Sequence, residues 1–497
     1  MRRSSLWGLC LLACLMLAAL AAPPISVRPT RLVVPLGEAR SAAWQGPSRP
    51  EVIVSDPEVA EARLEGNRVV VRGLAEGDAL VSLSFGSREV GLPIQVRTPA
   101  ARLPARLSVS LTGESVSHTV LSQALRVAMD AQTGLDPRAQ LSLQPRRANG
   151  ALLVDVSASG PGLLPVSRTI AVDVSLQQLP FTPARTLVVS NRPELVLAPG
   201  MLLDRPLPPG PSRLLYHHRG SPDAPHQELE VLLKNVNATP ARVRVAVASV
   251  GPSNDEIFAG HKAAQLLLDQ QEKAESFFLR VGPGQEVVLD RKLLKSGQTV
   301  SGMGWLEPLD GSQLRVLVRA SEHGRGSIPS EEAPDTGGRT GRGLFPAAMD
   351  VAHAHNLGGP FTYMPLGEAP FEVEPGTGET NYGHFGMVYR VRVLLINPDA
   401  VPRKAWIDFV PRAGPARGSL YVDGQRVETD MGNSASEIKV GEWELEPGEQ
   451  REVRIETFPQ SGSNYPVFLV VKSNYANGAI PAPARPEVVP GESQFMF

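Results

Sequence analysis

Short apolar runs, rich in β-branched residues and separated by turn residues, recur along most of the chain. In the N-terminal part such runs stand at residues 25–27, 31–34, 51–54, 68–71 and 79–83. β-Branched residues favour strands, and short strands at regular spacing with turns between them are typical of a β-sandwich. The pattern therefore predicts a sandwich over residues 23–98, with four apolar side chains facing inward: Val59, Val70, Leu74 and Val81.

The next segment, residues 99–204, mixes two periodicities. Leu121 and Leu125 recur at helical spacing, and Ser117 precedes them as a helix cap. Strand-like runs surround this predicted helix, so we expect a small β or α+β domain. Four prolines between residues 206 and 211 predict a stiff connector after it.

Two later segments resemble each other closely enough to indicate an internal duplication. In each, a strand-like run ends in an asparagine, Asn235 or Asn397, and a short turn, a proline and a second run follow. A Pro-Gly turn comes 48 residues after the asparagine in one copy and 50 in the other. We therefore predict two β-sandwiches, over residues 205–323 and 346–473, in which the asparagine turn closes a hairpin.

The two copies differ between the asparagine and the Pro-Gly turn. The first carries a helix-like segment near residues 255–276, with Ser253 or Asn254 as its cap, and the second carries a short hairpin at residues 418–424. Insertions in sandwich loops often carry binding specificity. Two strand-like runs are expected to correspond as the last strands of the copies: residues 314–318 and 467–471.

Polar stretches rich in glycine and proline complete the organisation. Residues 324–345 predict a flexible linker between the copies, and residues 474–497 a Pro-rich tail. The expected fold class is mostly β: serial Ig-like β-sandwich domains, one with an inserted helix, and a small β or α+β domain.

One part of the chain resembles known families. The residues D-P-E-V-A from Asp56, G-N from Gly66 and G-L-A-E-G-D-A from Gly73 carry the resemblance. Residues 25–98 resemble a bacterial Ig-like domain of the group-2 type, and equally the N-terminal domain of pilus-formation secretins. The resemblance implies a sandwich fold and a spacer role, and it raises an association with a pilus or secretion assembly.

The N-terminus predicts export. Two arginines follow Met1, an apolar run covers residues 6–22, and two prolines end it. These are the parts of a secretory signal peptide over residues 1–22, which predicts a secreted, periplasmic or cell-surface protein. The residues L-L-A-C from Leu11 also fit a lipoprotein cleavage box, which would make Cys14 a lipid anchor. An uncleaved membrane anchor is the third alternative.

Cysteine usage and charge exclude several classes of function. Cys10 and Cys14 are the only cysteines, so the rest of the chain has no thiol for a disulfide, a zinc site or a nucleophile. Lysine and arginine number 49 and acidic residues 51, and this balance argues against a nucleic-acid partner. No later segment approaches about 18 apolar residues, so we expect no transmembrane span after signal removal.

Common catalytic and cofactor motifs are absent from the sequence. It has no nucleophile elbow, paired-histidine zinc helix, phosphate-binding loop or dinucleotide fingerprint. We therefore expect a non-enzymatic protein without a cofactor or metal site. His353 and His355 would share one face of a strand, so a metal at this pair stays an alternative. A hydrolase could use scattered acids, although no spacing selects them: Asp155, Asp173 and Asp350.

An aromatic-rich run stands between glycines just before the second asparagine strand. Its candidate ligand-binding residues are Tyr382, His384, Phe385 and Tyr389. Flat rings on a loop made pliable by glycine suit stacking against a sugar or a peptide. The alternative is that these rings plug the end of the sandwich.

These expectations combine into an exported, non-enzymatic multi-domain protein of the cell envelope or surface. It would act in scaffolding, adhesion or ligand binding, and its partner would be an envelope protein or a polysaccharide. Two alternatives stay open: an accessory component of a pilus or secretion assembly, which rests on the resemblance of the N-terminal domain, and a hydrolase of cell-wall polymers.

Overall fold

The structure is a computed structural model, which describes residues 24–474 apart from residues 137, 149, 310–312, 324–328, 330, 336 and 339. The predicted signal peptide, Cys14 and the predicted tail beyond Asn474 lie outside the described residues. The chain divides into two compact units. They comprise Met1–Leu103, Gly134–Gln144 and Asp155–Thr169 in the first, and Pro104–Thr133, Pro145–Val154 and Ile170–Phe497 in the second. In the part of the chain that is described, no helix is long and apolar enough to cross a membrane.

The first unit contains a β-sandwich, which we call the N-terminal sandwich. Its strands are β1 (Ser26–Arg28), β2 (Leu32–Pro35), β3 (Ala39–Gln45), β4 (Glu51–Val54), β5 (Ala60–Glu65), β6 (Arg68–Gly73), β7 (Gly77–Phe85) and β8 (Arg88–Arg97). One sheet has the order β1-β3-β6-β5 and the other β2-β8-β7-β4. Alternating residues of both sheets fill the core between them, where Val34, Val69 and Val81 are fully buried.

For two of the four side chains predicted to face inward, the prediction is wrong. Val59 and Val81 are buried as expected, but Val70 is only half-buried and Leu74 is 44% exposed. On β6 the valines on either side of Val70 face the core instead. Three consecutive valines show no alternation, so the apolar pattern cannot choose between the two faces of this strand.

The following segment contributes to both units. It comprises β9 (Arg106–Thr112), α1 (His118–Gln132), β10 (Gln140–Ala148), β11 (Ala151–Ser159) and β12 (Val166–Gln177). The predicted helix and its cap are confirmed, because the Ser117 hydroxyl accepts the backbone N–H of Val120 at 3.4 Å. In the second unit β9 pairs in parallel with β12 over Ala171–Gln177.

The second unit contains two further β-sandwiches, tandem sandwich 1 and tandem sandwich 2. The strands of tandem sandwich 1 are β13 (Thr186–Ser190), β14 (Leu195–Val196), β15 (Gly200–Leu207), β16 (Ser212–Gly220), β17 (Gln227–Asn235), β18 (Ala241–Ser253), β19 (Ser276–Val281), β20 (Glu286–Leu294), β21 (Thr299–Leu309), β22 (Leu314–Glu322) and β23 (Arg342–Pro346). Helix α2 (Glu256–Glu272) lies between β18 and β19. One sheet has the order β15-β22-β17-β20, and the other runs β9-β19-β18-β21-β16-β13-β23, with β14 also on β16. Val231, Val245 and Val316 are fully buried.

Tandem sandwich 1 begins earlier than the sequence predicted. β13 and β15 supply one strand to each of its sheets, although residues 186–204 were expected in the preceding domain. Pro206, in the predicted connector, lies in β15 opposite Arg315. A proline is tolerated there because β15 is an edge strand, whose outward side needs no N–H donor.

The predicted linker over residues 324–345 is bound to tandem sandwich 1 where the structure describes it. The backbone N–H of Met201 donates to Glu331 at 2.7 Å, and that of Ala333 donates back to Met201 at 2.9 Å. At the end of the segment, β23 pairs antiparallel with β13. The expectation of a flexible linker is therefore wrong for these residues, because backbone bonds hold a segment whose side chains are mostly polar.

Tandem sandwich 2 contains the strands β24 (Ala348–Asn356), β25 (Thr362–Leu366), β26 (Val388–Ile396), β27 (Arg403–Pro411), β28 (Ser419–Val422), β29 (Gln425–Glu428), β30 (Ile438–Leu445), β31 (Gln450–Thr457) and β32 (Val467–Ser473), and a 3₁₀ turn at Tyr382–His384. Its sheets have the orders β24-β26-β31-β28-β29 and β25-β32-β27-β30. Val393, Ile407 and Phe409 lie fully buried between the sheets. The chain is thus mostly β, with serial β-sandwiches as its main part.

The asparagine turn has the same structure in both tandem sandwiches. Nδ2 of Asn235 donates to the carbonyl four residues further on at 2.8 Å and to the last carbonyl of β19 at 3.0 Å. Nδ2 of Asn397 donates to the carbonyl four residues further on at 2.8 Å and to the last carbonyl of β30 at 3.0 Å. Both asparagines are completely buried. The repeated sequence therefore encodes a repeated set of hydrogen bonds.

This turn does not close a hairpin in either copy. β17 pairs with β20 and β22, whereas β18 pairs with β19 and β21, so the chain crosses from one sheet to the other. β26 and β27 are divided between two sheets in the same way. The predicted hairpins are wrong, and a buried asparagine satisfies carbonyls at the crossing. The predicted correspondence between residues 467–471 and residues 314–318 is also wrong. Residues 467–471 lie in β32, which pairs with β27 in the way that β21 pairs with β18, so β21 is the counterpart of β32.

Candidate functional site

The aromatic run predicted to bind a ligand lies just before β26. Two of its members, His384 and Tyr389, are buried and bonded to each other, with 2.6 Å between His384 Nδ1 and the Tyr389 hydroxyl. The hydroxyl also accepts the backbone N–H of Gly367 at 2.8 Å. Burial lowers the pKa of His384, so the ring stays neutral and its Nδ1 can accept a hydrogen bond from the tyrosine hydroxyl. These two side chains are therefore hydrogen-bonded to each other inside the fold.

The other two members of the run pack on neighbouring rings. Phe385 meets Tyr465 edge to face with 5.8 Å between ring centroids, and Tyr382 meets Phe371 at 5.4 Å. Tyr382 and Phe385 are only half-buried. A role in ligand binding stays a prediction, and the structure leaves these two rings as the ones with exposed surface for it.

The histidine pair on β24 is engaged within tandem sandwich 2. His355 places Nδ1 3.0 Å from the Thr362 hydroxyl and Nε2 3.3 Å from the Ser473 hydroxyl. Burial lowers the pKa of His355 to about 4. Both ring nitrogens have partners, so the pair with His353 is not arranged as a metal site.

The acids considered for hydrolysis lie on three different strands. Asp155 on β11 accepts a hydrogen bond from the Thr169 hydroxyl at 2.6 Å. Asp173 on β12 forms an exposed ion pair with Arg106 at 3.5 Å. Asp350 is exposed on β24.

The two inserts that distinguish the copies lie against each other. α2 follows β18 in tandem sandwich 1, and the hairpin β28–β29 follows β27 in tandem sandwich 2, which are corresponding positions. Leu268 of α2 belongs to an apolar cluster with Trp305, Phe458 and Tyr421, the last of them on the hairpin. We call this contact the insert junction. The predicted hairpin over residues 418–424 is confirmed as its second half.

The backbones approach each other closely at the insert junction. A Cβ atom at Gly260 of α2 would overlap the carbonyl oxygen of Ser461, and one at Gly462 would overlap the carbonyl of Glu256. Glycine removes the side chain at both points of contact, which allows the helix to touch the main chain of tandem sandwich 2. The helix itself begins after Asp255, whose carboxylate caps it, rather than after Ser253 or Asn254 as predicted.

Polar groups form hydrogen bonds and ion pairs across the insert junction. His261 is 2% exposed and places Nδ1 2.8 Å from Oε1 of Gln460, and burial lowers its pKa so that the ring stays neutral. Arg426 of the hairpin donates to Asp269 of α2 at 2.6 Å. The Tyr421 hydroxyl donates to Glu272 at 2.6 Å, and burial together with this bond raises the pKa of Tyr421.

A single residue connects the two tandem sandwiches along the chain. β23 ends at Pro346 and β24 begins at Ala348, which leaves Ala347 between them, 2% exposed. Its N–H donates to the carbonyl of Arg185, beside β13, and its carbonyl accepts the N–H of Val388, the first residue of β26. The two sandwiches are therefore fixed to each other by the insert junction and by this connection.

Sequence reasoning interpreted α2 as an insertion for ligand specificity and missed its role in the insert junction. The signal was Gly260, a glycine inside an otherwise helical segment. A glycine inside a helix lowers helix stability, and it is used where another backbone comes close. The partner of that glycine lies about 200 residues further along the chain, so no local pattern names it.

No protein-family model matches the chain, and no curated protein matches it. Similar solved structures include domains 4 and 5 of the S-layer protein SbsC, with 24% identity, 15% of this chain, 51% of that chain and a TM-score of 0.14. Domains 5–6 of SbsC share 13% identity over 31% of this chain and 97% of that chain, with a TM-score of 0.15. The titin Ig tandem domains share 10% identity over 31% and 97%, with a TM-score of 0.14. Likenesses this weak indicate no function.

Proposed function

We propose that the chain is an exported, non-enzymatic structural protein of the cell envelope or surface, in which the tandem sandwiches form a scaffold. The observation that carries the proposal is the insert junction. Loop insertions of a sandwich commonly bind ligands, and neighbouring domains commonly move relative to each other. Here the first insert, α2, packs on tandem sandwich 2 instead, through Gly260 against Ser461, and the Arg426–Asp269 ion pair joins it to the second insert. Fixed geometry of this kind supports a scaffold more than a flexible receptor.

A complementation experiment tests the scaffold. Cells lacking the chain receive the wild type, Gly260→Leu, or the control Gly134→Leu, where a Cβ meets no atom within 4 Å. We expect all three in the envelope fraction and only Gly260→Leu to leave the envelope sensitive to detergent. A cytoplasmic wild-type chain, or full resistance with Gly260→Leu, would contradict the proposal. Arg426→Ala serves as a milder second variant, should Gly260→Leu fail to accumulate.

The partner we propose is an envelope polysaccharide or protein, bound at the half-buried rings of Tyr382 and Phe385. The purified chain is tested on arrays of both ligand classes, beside Tyr382→Ala and Phe385→Ala. We expect the variants to lose retention while keeping the unfolding temperature of the wild type. A large fall in that temperature would assign the rings to packing, and turnover of glycan or peptide substrates would contradict a non-enzymatic protein.

A second candidate is an accessory role in a pilus or secretion assembly. It is favoured by the resemblance of residues 25–98 to the N-terminal domain of pilus-formation secretins and to group-2 bacterial Ig-like domains. Co-purification of the chain with assembly components from cross-linked envelopes would favour this candidate. Recovery of the chain free of them would favour the scaffold alone.

A further inference from the structure

Three side chains with metal-ligating groups meet inside tandem sandwich 1. One ring nitrogen of His217 and one carboxylate oxygen each of Glu194 and Glu256 lie within 4.8 Å of one another. Three separate segments supply them: β16 carries His217, the turn before β14 carries Glu194, and Glu256 begins α2. His217 and His218 are consecutive residues of a strand and therefore point to opposite faces, so the other ligands beside His217 come from other segments.

Backbone bonds hold these segments in place. The carbonyl of Glu194 accepts the N–H of Arg219 at 2.7 Å, next to the parallel pairing of β14 with β16. At the start of α2, the Asp255 carboxylate accepts the N–H of Phe258 at 2.8 Å. The ligand atoms are therefore positioned by the fold and not only by flexible side chains, as a preformed site requires.

His217 is a buried side chain with an unused nitrogen. It is 2% exposed, and its Nδ1 has no hydrogen-bond partner among the residues that the structure describes. Its neighbour His218, equally buried, bonds the Ser190 hydroxyl at 3.0 Å and the Pro193 carbonyl at 2.8 Å. A neutral imidazole can offer such a nitrogen to a metal ion through its lone pair.

The two carboxylates repel each other at this position. Both residues are half-buried, and one oxygen of each lies within 4.8 Å of the other. Two like charges in a partly buried place are unfavourable unless a cation joins them. A doubly charged cation would balance both carboxylates beside the neutral imidazole.

We propose that Glu194, His217 and Glu256 bind one divalent transition-metal ion, with Zn²⁺ as the preferred ion. Zinc accepts imidazole and carboxylate ligands at about 2.0–2.2 Å, which places tetrahedral ligand atoms about 3.4 Å apart. The three candidate ligand atoms, within 4.8 Å of one another, are close enough for this arrangement. Three protein ligands leave the fourth position to water. Mg²⁺ prefers six oxygen ligands and keeps most of its water, so it should bind more weakly.

The site would add a function that the scaffold does not require. An ion there would connect the turn before β14, β16 and the first turn of α2, the helix that forms the insert junction. Metal binding would therefore stabilise the N-terminal end of α2. Hydrogen exchange of the backbone amides in that turn should slow when Zn²⁺ is added.

Calorimetric titration of the full chain with Zn²⁺, and thermal unfolding with and without it, test the site. We expect one equivalent to bind and to raise the unfolding temperature of the wild type. Glu194→Gln should weaken Zn²⁺ binding by about 100-fold or more. That variant keeps the side-chain shape and removes one of two repelling charges, so without metal it should unfold no lower than the wild type. Loss of the zinc effect then cannot be ascribed to misfolding.

The matched control is Glu228→Gln, which alters a half-buried carboxylate 2.8 Å from His323 at another place in tandem sandwich 1. This variant should bind Zn²⁺ as the wild type does. Absorption spectra with Co²⁺ should show ligand-field bands without a thiolate charge-transfer band, which excludes Cys10 and Cys14 as the ligands. The proposal is overturned if the wild type binds no Zn²⁺, if Glu194→Gln binds it equally well, or if Glu228→Gln loses it.

Discussion

Tandem sandwiches 1 and 2 share an asparagine turn and a later Pro-Gly turn, and they differ in the segment between these two turns. Both have a buried asparagine at the crossing between sheets and a Pro-Gly turn further on. Between these points one copy forms α2 and the other forms β28–β29. The strand that ends in the asparagine also has a different second partner in each copy. β17 pairs antiparallel with β22, whereas β26 pairs in parallel with β24. The hydrogen bonds of the crossing are therefore the repeated element, whereas the inserts diverged and contact each other.

Removing the crossing asparagine should have the largest effect, and an equal one in both copies. Asn235→Ala and Asn397→Ala each leave buried carbonyls without their donor, so we expect a loss of about 3 kcal/mol in the free energy of unfolding. Urea unfolding measures it. Asn254→Ala is the control, because that exposed side chain only accepts one bond from Gln298. If one copy tolerates the change, the two crossings are not equivalent.

The insert junction is tested by Gly260→Ala. In an isolated helix this change is stabilising by about 0.5–1 kcal/mol, because glycine is the poorer helix former. Here the new Cβ would overlap the Ser461 carbonyl, so we expect a net loss of about 2 kcal/mol and separate unfolding of the two tandem sandwiches in calorimetry. Gly134→Ala, with no atom near its Cβ, should not destabilise. A more stable Gly260→Ala chain would show that the contact is loose.

The acid response of tandem sandwich 2 should change the free energy of unfolding gradually, by a small amount for each pH unit. Burial lowers the pKa of His355 from 6.5 to about 4, so the unfolded chain takes up a proton before the folded one does. His355 therefore contributes stability above pH 6.5 that is lost as the pH falls towards 4, at about 1.4 kcal/mol per pH unit. Unfolding free energies of the wild type and His355→Gln, measured from pH 7.5 to 4, should converge over this range. Parallel curves would contradict the lowered pKa.

Much of the fold could be predicted because strands and helices leave local signals. The β-branched runs and turn residues located most strands, and the helical spacing after Ser117 located α1. No local signal shows which sheet a strand joins. The pattern around Asn235 is the same for a hairpin and for a crossing, because the two differ only in the strands with which β17 and β18 pair. The assignment of Val70 failed for a related reason, since its neighbours are valines too.

The candidate sites were less predictable because they join distant segments. The aromatic run was located by composition, but the burial of His384 and Tyr389 depends on the sheets around them. Glu194, His217 and Glu256 stand too far apart in the chain for any spacing rule to connect them. Side chains whose role depends on three segments become visible only when the fold brings those segments together.

The connection through Ala347 has a consequence for degradation. Proteases cut where several consecutive residues can leave the fold and extend, which is usual in loops and linkers between domains. Between β23 and β24 there is one residue, buried and bonded on both sides. A protease that nicks exposed loops elsewhere would therefore release tandem sandwiches 1 and 2 as a single resistant fragment, and the pair would persist or be destroyed together.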